Sequence, residues 1–215
     1  MLFHLVKKDF LLTKKYWIVM LIAAVVLPLF LHSRIDFIAG GFLPFFLSTL
    51  YIVYLLFSTV LMMEYKYRGS ALLCATPYTR KYIVRAKYLF VLTVFTGCYV
   101  LYTLTALIPP LGIDLLDLSA FGWAFFINAV IFGVLIPVQY RFDYEKLKYI
   151  FFFLIFLMPF VLPAVMKVLQ HEGTGFRFSL PFTPFVQDLF LIVLGLVIGG
   201  ISMRVSVRIY SKKNL

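Results

Sequence analysis

The stretch that decides the fold is residues 42–63, which read FLPFFLSTLYIVYLLFSTVLMM and contain no charged side chain. A helix needs about 20 mainly apolar residues to cross the roughly 30 Å hydrocarbon core of a bilayer. Buried helices of a water-soluble protein are shorter and carry their apolar residues along one stripe. Because residues 42–63 are apolar all round, they predict a helix that spans a membrane.

Five further stretches have a similar length and character. Hydrophobic residues make up 63% of the chain and charged residues only 13%, and the mean hydropathy is +1.01. Water cannot accommodate six such stretches in 215 residues. The sequence therefore predicts an all-α integral membrane protein with a single transmembrane domain, residues 1–215, and six membrane-spanning helices. The predicted spans are 16–31, 42–63, 88–108, 118–139, 149–166 and 185–203.

The basic residues predict how these spans are oriented. All but three of the 20 Lys and Arg residues fall in the two tails and in the second and fourth loops, on one side of the membrane. The exceptions are Arg34, Lys167 and Arg177. Because cytoplasmic loops are enriched in Lys and Arg, we expect both termini in the cytoplasm. The net charge of +11 is then explained by orientation and by attraction to membrane lipid, and no nucleic-acid binding is expected.

The length of the chain leaves no room for a soluble catalytic domain. Six spans of about 20 residues occupy more than half of it. The sequence has no Gly-x-x-x-x-Gly-Lys-Ser/Thr phosphate loop, no Gly-x-Ser-x-Gly motif and no pair of histidines at zinc-binding spacing. We therefore expect a protein that is not an enzyme and that holds no cofactor or metal of its own.

Residues 1–15 predict an amphipathic helix that lies on the inner leaflet ahead of the first span. Leu2, Val6 and Phe10 recur every four positions and would share one helical face. Polar and basic side chains fall largely on the other side, as is typical of interfacial helices. These are His4, Lys7, Lys8, Lys14 and Lys15.

The loop at residues 64–87 has the most specific pattern in the chain. Gly69-Ser70 permits a break after the second span, and Leu72-Leu73 lies at the centre of a short apolar segment. Pro77 disfavours helix at the residue before it, and Thr79 can cap the helix of the third span. The pattern predicts a short helix parallel to the membrane whose leucines fit a groove on a cytoplasmic partner. By composition alone, an ordinary interfacial loop is an equal alternative.

This loop resembles that of the ABC-2-type exporter permeases. The resemblance rests on Glu64, on the run LLCATPYTRK at residues 72–81, and on IVRAKY at residues 83–88. The family usually has Ser and Leu where this chain has Cys74, Ala75 and Thr76. The opening Leu-Val-Lys-Lys-Asp-Phe and the ending Ser-x-Arg-Ile-Tyr-Ser-Lys-Lys also resemble the family, so the likeness extends over the whole chain.

The resemblance implies the membrane subunit of an ATP-driven exporter in a bacterial cell membrane. A separate ABC ATPase subunit, which would carry ATP and Mg²⁺, would dock under the coupling helix of the 64–87 loop. A second permease copy, identical or homologous, would complete the path for a hydrophobic or amphipathic substrate, as in the exporters of phenol-soluble modulins and other amphipathic peptides. The residues implied in ATPase coupling are Glu64, Arg68, Ser70, Leu72, Leu73, Thr76, Pro77, Arg80 and Lys81.

Glycine and proline positions add two expectations. Gly195 and Gly199 form a Gly-x-x-x-Gly pair, which predicts close helix packing either within the chain or between subunits. Pro159 and Pro163 interrupt the fifth span and are candidates for an outer gate, and Pro137 is expected to end the fourth span.

Two other functions fit the same composition. One is the substrate-binding membrane subunit of a vitamin-type importer, although such subunits tend to carry Ala-x-x-x-Ala in the first span and this chain does not. The other is a membrane protein that transports nothing, such as an immunity or scaffold protein. An ATPase partner would separate the two transporters from the scaffold, and the direction of transport would separate the two transporters from each other.

Overall fold

The computed structural model of the chain describes residues 2–35, 41–67, 79–108, 115–142, 144–171 and 184–212. Within these ranges the regular structure is entirely helical, with no strand. A short 3₁₀ turn, Lys14–Tyr16, joins the first two α-helices. The α-helices are α1 (Leu2–Leu12), α2 (Trp17–Ile35), α3 (Phe42–Lys66), α4 (Arg80–Ala106), α5 (Leu118–Arg141), α6 (Tyr144–His171) and α7 (Pro184–Lys212).

Five of these helices are long and apolar enough to cross a membrane, namely α2, α3, α4, α5 and α7, with mean hydropathies between 1.8 and 2.2. The described side chains of α6 add a shorter apolar stretch, Leu147–Val161. The prediction of an all-α integral membrane protein is confirmed. The positions at which each helix enters and leaves the bilayer stay predictions.

Several helices extend beyond the predicted spans, and α4 extends furthest at its start. It begins at Arg80, whereas the predicted third span begins at residue 88. Its 27 residues have a length of about 40 Å, which exceeds the hydrocarbon core by about 10 Å. The added turns carry the basic side chains of the loop, which can reach the polar headgroup layer from a helix. We call the end that holds α1 and the start of α4 the basic end of the bundle.

Helix α3 forms the centre of the bundle. In its apolar membrane-spanning stretch 67% is buried inside the protein, whereas in that of α2 only 11% is. Phe45 makes edge-to-face contacts with three rings of α4, at centroid distances between 5.1 and 6.2 Å. These rings are Phe95, Tyr99 and Tyr102. Because lipid tails are as apolar as these side chains, close packing of this kind holds membrane helices together.

Helices α5 and α7 form the most extensively packed pair, and glycines allow them to approach closely. A Cβ built on Gly122 would lie 3.3 Å from the carbonyl oxygen of Asp188. A Cβ built on Gly195 would lie 3.0 Å from the ring of Phe125. Gly195 therefore packs within the chain, whereas Gly199 of the same predicted pair has no described atom within 4 Å of an added Cβ.

Helix α1 packs against the protein rather than lying apart from it. Its residues Leu5 and Val6 are buried in a small cluster with Ile83 and Val84 of α4 and Tyr210 of α7. The opposite side exposes apolar and basic side chains together, Phe3 and Leu11 beside Lys7. The predicted amphipathic helix is thus present, and its apolar face is covered by the basic end of the bundle.

The expectation that Pro137 ends a helix is wrong. Helix α5 continues through Pro137 to Arg141. Membrane helices tolerate an internal proline because neighbouring groups satisfy the freed carbonyl. Pro28 likewise lies inside α2, and the bounds of α6 enclose Pro159 and Pro163. The role of Pro159 and Pro163 in an outer gate stays a prediction.

Gly195→Leu should lower the thermal stability of the protein, because its side chain would enter space that Phe125 occupies. Overpacking of this kind costs about 1–3 kcal/mol. Gly199→Leu is the matched control, since the space above Gly199 is open and leucine is the better helix former. Thermal unfolding in detergent measures both variants. Equal midpoints for the two would contradict this account of the packing.

Candidate functional site

Four charged side chains meet at the basic end of the bundle, where α1, α3 and α4 converge. The Lys87 ammonium lies 3.0 Å from Asp9 Oδ1 and 2.8 Å from Glu64 Oε1. The Lys8 ammonium contacts the same two oxygens, at 2.6 Å for Glu64 and 3.2 Å for Asp9. We call Lys8, Asp9, Glu64 and Lys87 the four-charge cluster. It joins three helices through one set of ion pairs.

The four side chains of the four-charge cluster differ in how deeply they are buried. The side chains of Asp9 and Lys87 are only 1% and 2% exposed, whereas those of Glu64 and Lys8 are 17% and 31% exposed. Two cations face two carboxylates, so the formal charges balance. Removing charges from water costs several kcal/mol per ion, and pairing offsets that cost only where the geometry is good. The cluster therefore fixes the relative positions of the three helices more than it adds net stability.

Lys8 keeps its charge although it is partly buried. Burial by itself would lower the pKa of its ammonium, but Glu64 and then Asp9 act in the opposite direction. The net result is a pKa raised above the ordinary value of a lysine. Lys8 is therefore fully charged over the physiological pH range.

Asp9 reaches the cluster because of its position on α1. It follows the buried Leu5 by four residues, so the two side chains lie on the same face of the helix. The helix ends at Leu12, and the hydroxyl of the next residue, Thr13, donates to the carbonyl oxygens of Asp9 and Phe10 at 3.2 and 3.0 Å. The Trp17 indole N–H donates to the same hydroxyl at 3.1 Å. This turn sets the direction in which α2 leaves α1.

Tyr88, the residue after Lys87, connects α4 to α7. Its hydroxyl lies 2.7 Å from the hydroxyls of both Ser202 and Ser206. The Ser202 hydroxyl also donates to the carbonyl oxygen of Gly133 on α5. Adjacent residues of α4 thus contact the four-charge cluster on one side and the α5–α7 pair on the other.

Arg80, at the first turn of α4, binds the end of α7. Its guanidinium donates to the carbonyl oxygens of Tyr210 and Ser211, both at 3.2 Å. It also lies over the Tyr210 ring, 5.9 Å from the centroid. The last carbonyls of a helix lack intrahelical partners and carry partial negative charge, so a cation is favoured there.

The structure describes three of the residues predicted for ATPase coupling. Glu64 belongs to the four-charge cluster, Arg80 binds α7, and Lys81 is exposed on α4. The other six lie outside the described residues: Arg68, Ser70, Leu72, Leu73, Thr76 and Pro77. The loop leaves α3 at Tyr67 and rejoins the described chain at Thr79, which occupies the N-cap position of α4 without a side-chain hydrogen bond.

Sequence reasoning missed the roles of Asp9, Lys87 and Tyr88. A signal was present for Asp9, because a carboxylate on the apolar side of an amphipathic helix needs a buried partner. Lys87 and Tyr88 carry no signal in the sequence beyond their place in the loop pattern. In the part of the chain that the structure describes, no three His, Cys, Asp or Glu side chains lie close enough to hold a metal ion.

Comparison with models of protein families identifies the family of this chain. A family model described as ABC-2 family transporter protein matches residues 4–211. The chain belongs to the ABC-2 transporter family. No curated protein and no solved structure matches this ABC-2 permease. The match includes every helix that contributes to the four-charge cluster, and it confirms the resemblance drawn from the loop.

Membership of the family establishes the class of this permease. It is a multi-pass membrane protein and a permease subunit of an ABC transporter, and it is not itself the catalytic component. The family implies association with an ABC ATPase subunit. The four-charge cluster is therefore a candidate site for communication with that subunit, because it lies where the 64–87 loop meets the bundle.

Asp9→Asn and Lys87→Met should each destabilise this permease by about 3–5 kcal/mol, because each change leaves the four-charge cluster with one uncompensated charge. The double variant should cost less than the sum of the two, since the cluster then keeps one cation and one carboxylate, the paired Lys8 and Glu64. Denaturant unfolding in detergent micelles measures the cycle. Lys81→Met, an exposed change on the same helix, is the control. Additive costs would contradict direct coupling of the pair.

Proposed function

We propose that this permease is the membrane subunit of an ATP-driven exporter and that the 64–87 loop is its ATPase-coupling element. In this proposal a short helix around Leu72-Leu73 seats in a groove of a separate ATPase subunit. The ATPase supplies ATP and Mg²⁺, and the permease supplies the path. Both termini and the basic end of the bundle then face the cytoplasm of a bacterial cell, as the distribution of Lys and Arg favours.

The ion pair between the two ends of the loop carries this proposal. Glu64 lies at the end of α3 and Lys87 in the second turn of α4, and their side chains are 2.8 Å apart. The connection between the two helices, residues 67–79, is therefore tied together by an ion pair between the helical segments on either side of it. A force applied to the loop would therefore move the ends of α3 and α4 together rather than spread them apart.

The same contacts give the loop a route to the rest of the bundle. Lys87 binds Asp9 of α1, and the adjacent Tyr88 binds two serines of α7. Arg80 binds the end of α7 through backbone carbonyls. Displacement of α4 by a docked ATPase would therefore be passed to α1 and α7 at the same time. Packed elements with direct polar contacts are the means by which such coupling is carried.

A second permease subunit would complete the path. Only 11% of the apolar stretch of α2 and 17% of that of α7 are buried inside the protein. Many of the described side chains of α6 are exposed aromatic or aliphatic groups. These surfaces face lipid in a single copy and offer area for a partner. The exposed lining of such a path would be apolar, which favours a hydrophobic or amphipathic substrate, with an amphipathic peptide as the specific proposal.

Replacing Leu72 and Leu73 together with Asp should abolish ATPase-driven transport while the protein still inserts and folds. The change removes the apolar surface proposed for the groove and alters no predicted span. Purification with the ATPase subunit, followed by an ATPase assay and a transport assay, measures the effect.

The control for that variant is Leu115→Asp, which likewise lies outside every predicted span. Leu115 is exposed and lies at the opposite end of the bundle from the 64–87 loop. This control should retain the ATPase and its activity. Normal transport by the Leu72 and Leu73 variant would refute the coupling helix, and a chain that copurifies with no ATPase would favour the scaffold or immunity function.

Lys8→Ala should reduce transport several-fold at unchanged expression, because it removes the ion pair that joins α1 to Glu64 and leaves the four-charge cluster with an excess negative charge. Lys7→Ala is the matched control, since Lys7 is the neighbouring lysine and is exposed. Transport per ATP hydrolysed, measured in reconstituted vesicles, separates a loss of coupling from a loss of protein. Equal effects of the two variants would show that α1 contributes only its positive charge.

A further inference from the structure

A cleft of about 400 Å³ opens on the surface of the bundle between α4, α5 and α7. This volume lies within the range of ligand pockets, roughly 300–1,000 Å³. Its exposed wall is almost wholly apolar, and the polar residues among its lining are Arg85, Tyr88 and Asn128. We call it the half-depth cleft. The lining residues on which the argument depends are Arg85, Leu92, Phe95, Phe125, Gly199 and Gly200.

The half-depth cleft runs along about half of a membrane span. On α4 its lining extends from Arg85 to Phe95, a rise of about 15 Å at 1.5 Å per residue. The hydrocarbon core is roughly 30 Å thick. The cleft begins at the basic end of the bundle and ends near mid-depth, so its length corresponds to one leaflet of the bilayer.

Aromatic rings close the far end of the cleft. The rings of Phe95 and Phe125 pack edge to face with their centroids 5.5 Å apart. The Phe125 ring in turn covers Gly195, where an added Cβ would lie 3.0 Å from it. Beside this closure the floor is open, because a Cβ added at Gly199 or Gly200 would meet no described atom within 4 Å.

A cation stands at the near end of the cleft. Arg85 is exposed and lines the cleft, and it forms no ion pair with any carboxylate in the described residues. A guanidinium binds phosphate through two parallel hydrogen bonds. Basic residues at this level of a membrane also attract the anionic lipids of the cytoplasmic leaflet.

We propose that the half-depth cleft binds an anionic phospholipid of the cytoplasmic leaflet, with one acyl chain in the cleft and the phosphate on Arg85. The apolar wall matches the chain, the closed end matches the thickness of one leaflet, and the cation matches the charge of the headgroup. The site depends on the orientation of the chain in the membrane. It does not depend on the direction of transport or on the identity of the transported substrate.

The shape of the cleft disfavours a helix of a second copy as its occupant. A transmembrane helix packs along most of the thickness of the bilayer, whereas this cleft ends at the Phe95–Phe125 pair. A helix lying there would have to leave the surface at mid-depth. An acyl chain of one leaflet ends at that depth.

The binding test uses the full chain, purified in mild detergent with any subunits it retains, and native mass spectrometry. Phosphatidylglycerol and phosphatidylcholine with identical acyl chains are the two probes. We expect one phosphatidylglycerol to be retained per chain, several-fold more readily than phosphatidylcholine. Equal retention of the two lipids by the unaltered protein would overturn the proposal.

Two pairs of variants test the two ends of the site. Arg85→Ala should remove the preference for the anionic lipid, whereas Lys148→Ala, which removes a basic residue of α6, should keep it. Gly199→Leu should fill the cleft and release both lipids. Gly97→Leu is its control, because Gly97 also has open space above it but lies outside this cleft.

Two further outcomes would overturn the proposal. A Gly199→Leu variant that is folded, as judged by its elution profile and its melting temperature, yet retains phosphatidylglycerol would overturn the proposal. So would disulfide cross-linking between two chains that carry Gly200→Cys, since that would place a second copy in the cleft. If Gly199→Leu does not fold, Gly200→Leu replaces it, and the comparison of Arg85→Ala with Lys148→Ala decides independently of both.

Discussion

A buried lysine imposes the arrangement at the basic end of this permease. The Lys87 ammonium is almost fully removed from water, and a cation in that position requires carboxylates within contact distance. Asp9 and Glu64 supply them from positions 78 and 23 residues away in the chain. Helices α1, α3 and α4 must therefore meet at one point, and Tyr88, the next residue, is held where its hydroxyl reaches α7.

The bilayer explains why so much of the architecture could be predicted from the sequence. Residues 42–63 and their counterparts had to be helices that span, because hydrocarbon offers the backbone no other hydrogen-bonding partner. The amphipathic helix α1 followed from its periodicity. The pairing of Asp9 with Lys87 could not be found in this way, because no local pattern says which distant charge a buried group will meet. Glu64 was identified only through the resemblance of its loop to a family.

Gly195 and Gly199 show, within one helix, the same limit of prediction from sequence. They share one motif, one helix and one spacing, yet Gly195 lies beneath the Phe125 ring and Gly199 opens onto the half-depth cleft. What separates them is the residue on the facing helix, which the spacing of glycines does not encode. Pro137 makes a related point, since the helix that it was expected to end continues past it because the surroundings accommodate the missing hydrogen bond.

The ion pair between Asp9 and Lys87 also bears on how the chain is assembled in its membrane. Domains form during synthesis from the N-terminus onward, so Asp9 emerges long before its partner is made. Until then Lys8 of the same helix is the charged partner at hand for its carboxylate, and α1 cannot dock against Ile83 and Val84. When α4 is inserted, Lys87 pairs with Asp9. The docking of α1 therefore requires that the second and third spans have both been inserted. An insertion error in either span would leave α1 undocked, without the surface that buries Leu5 and Val6.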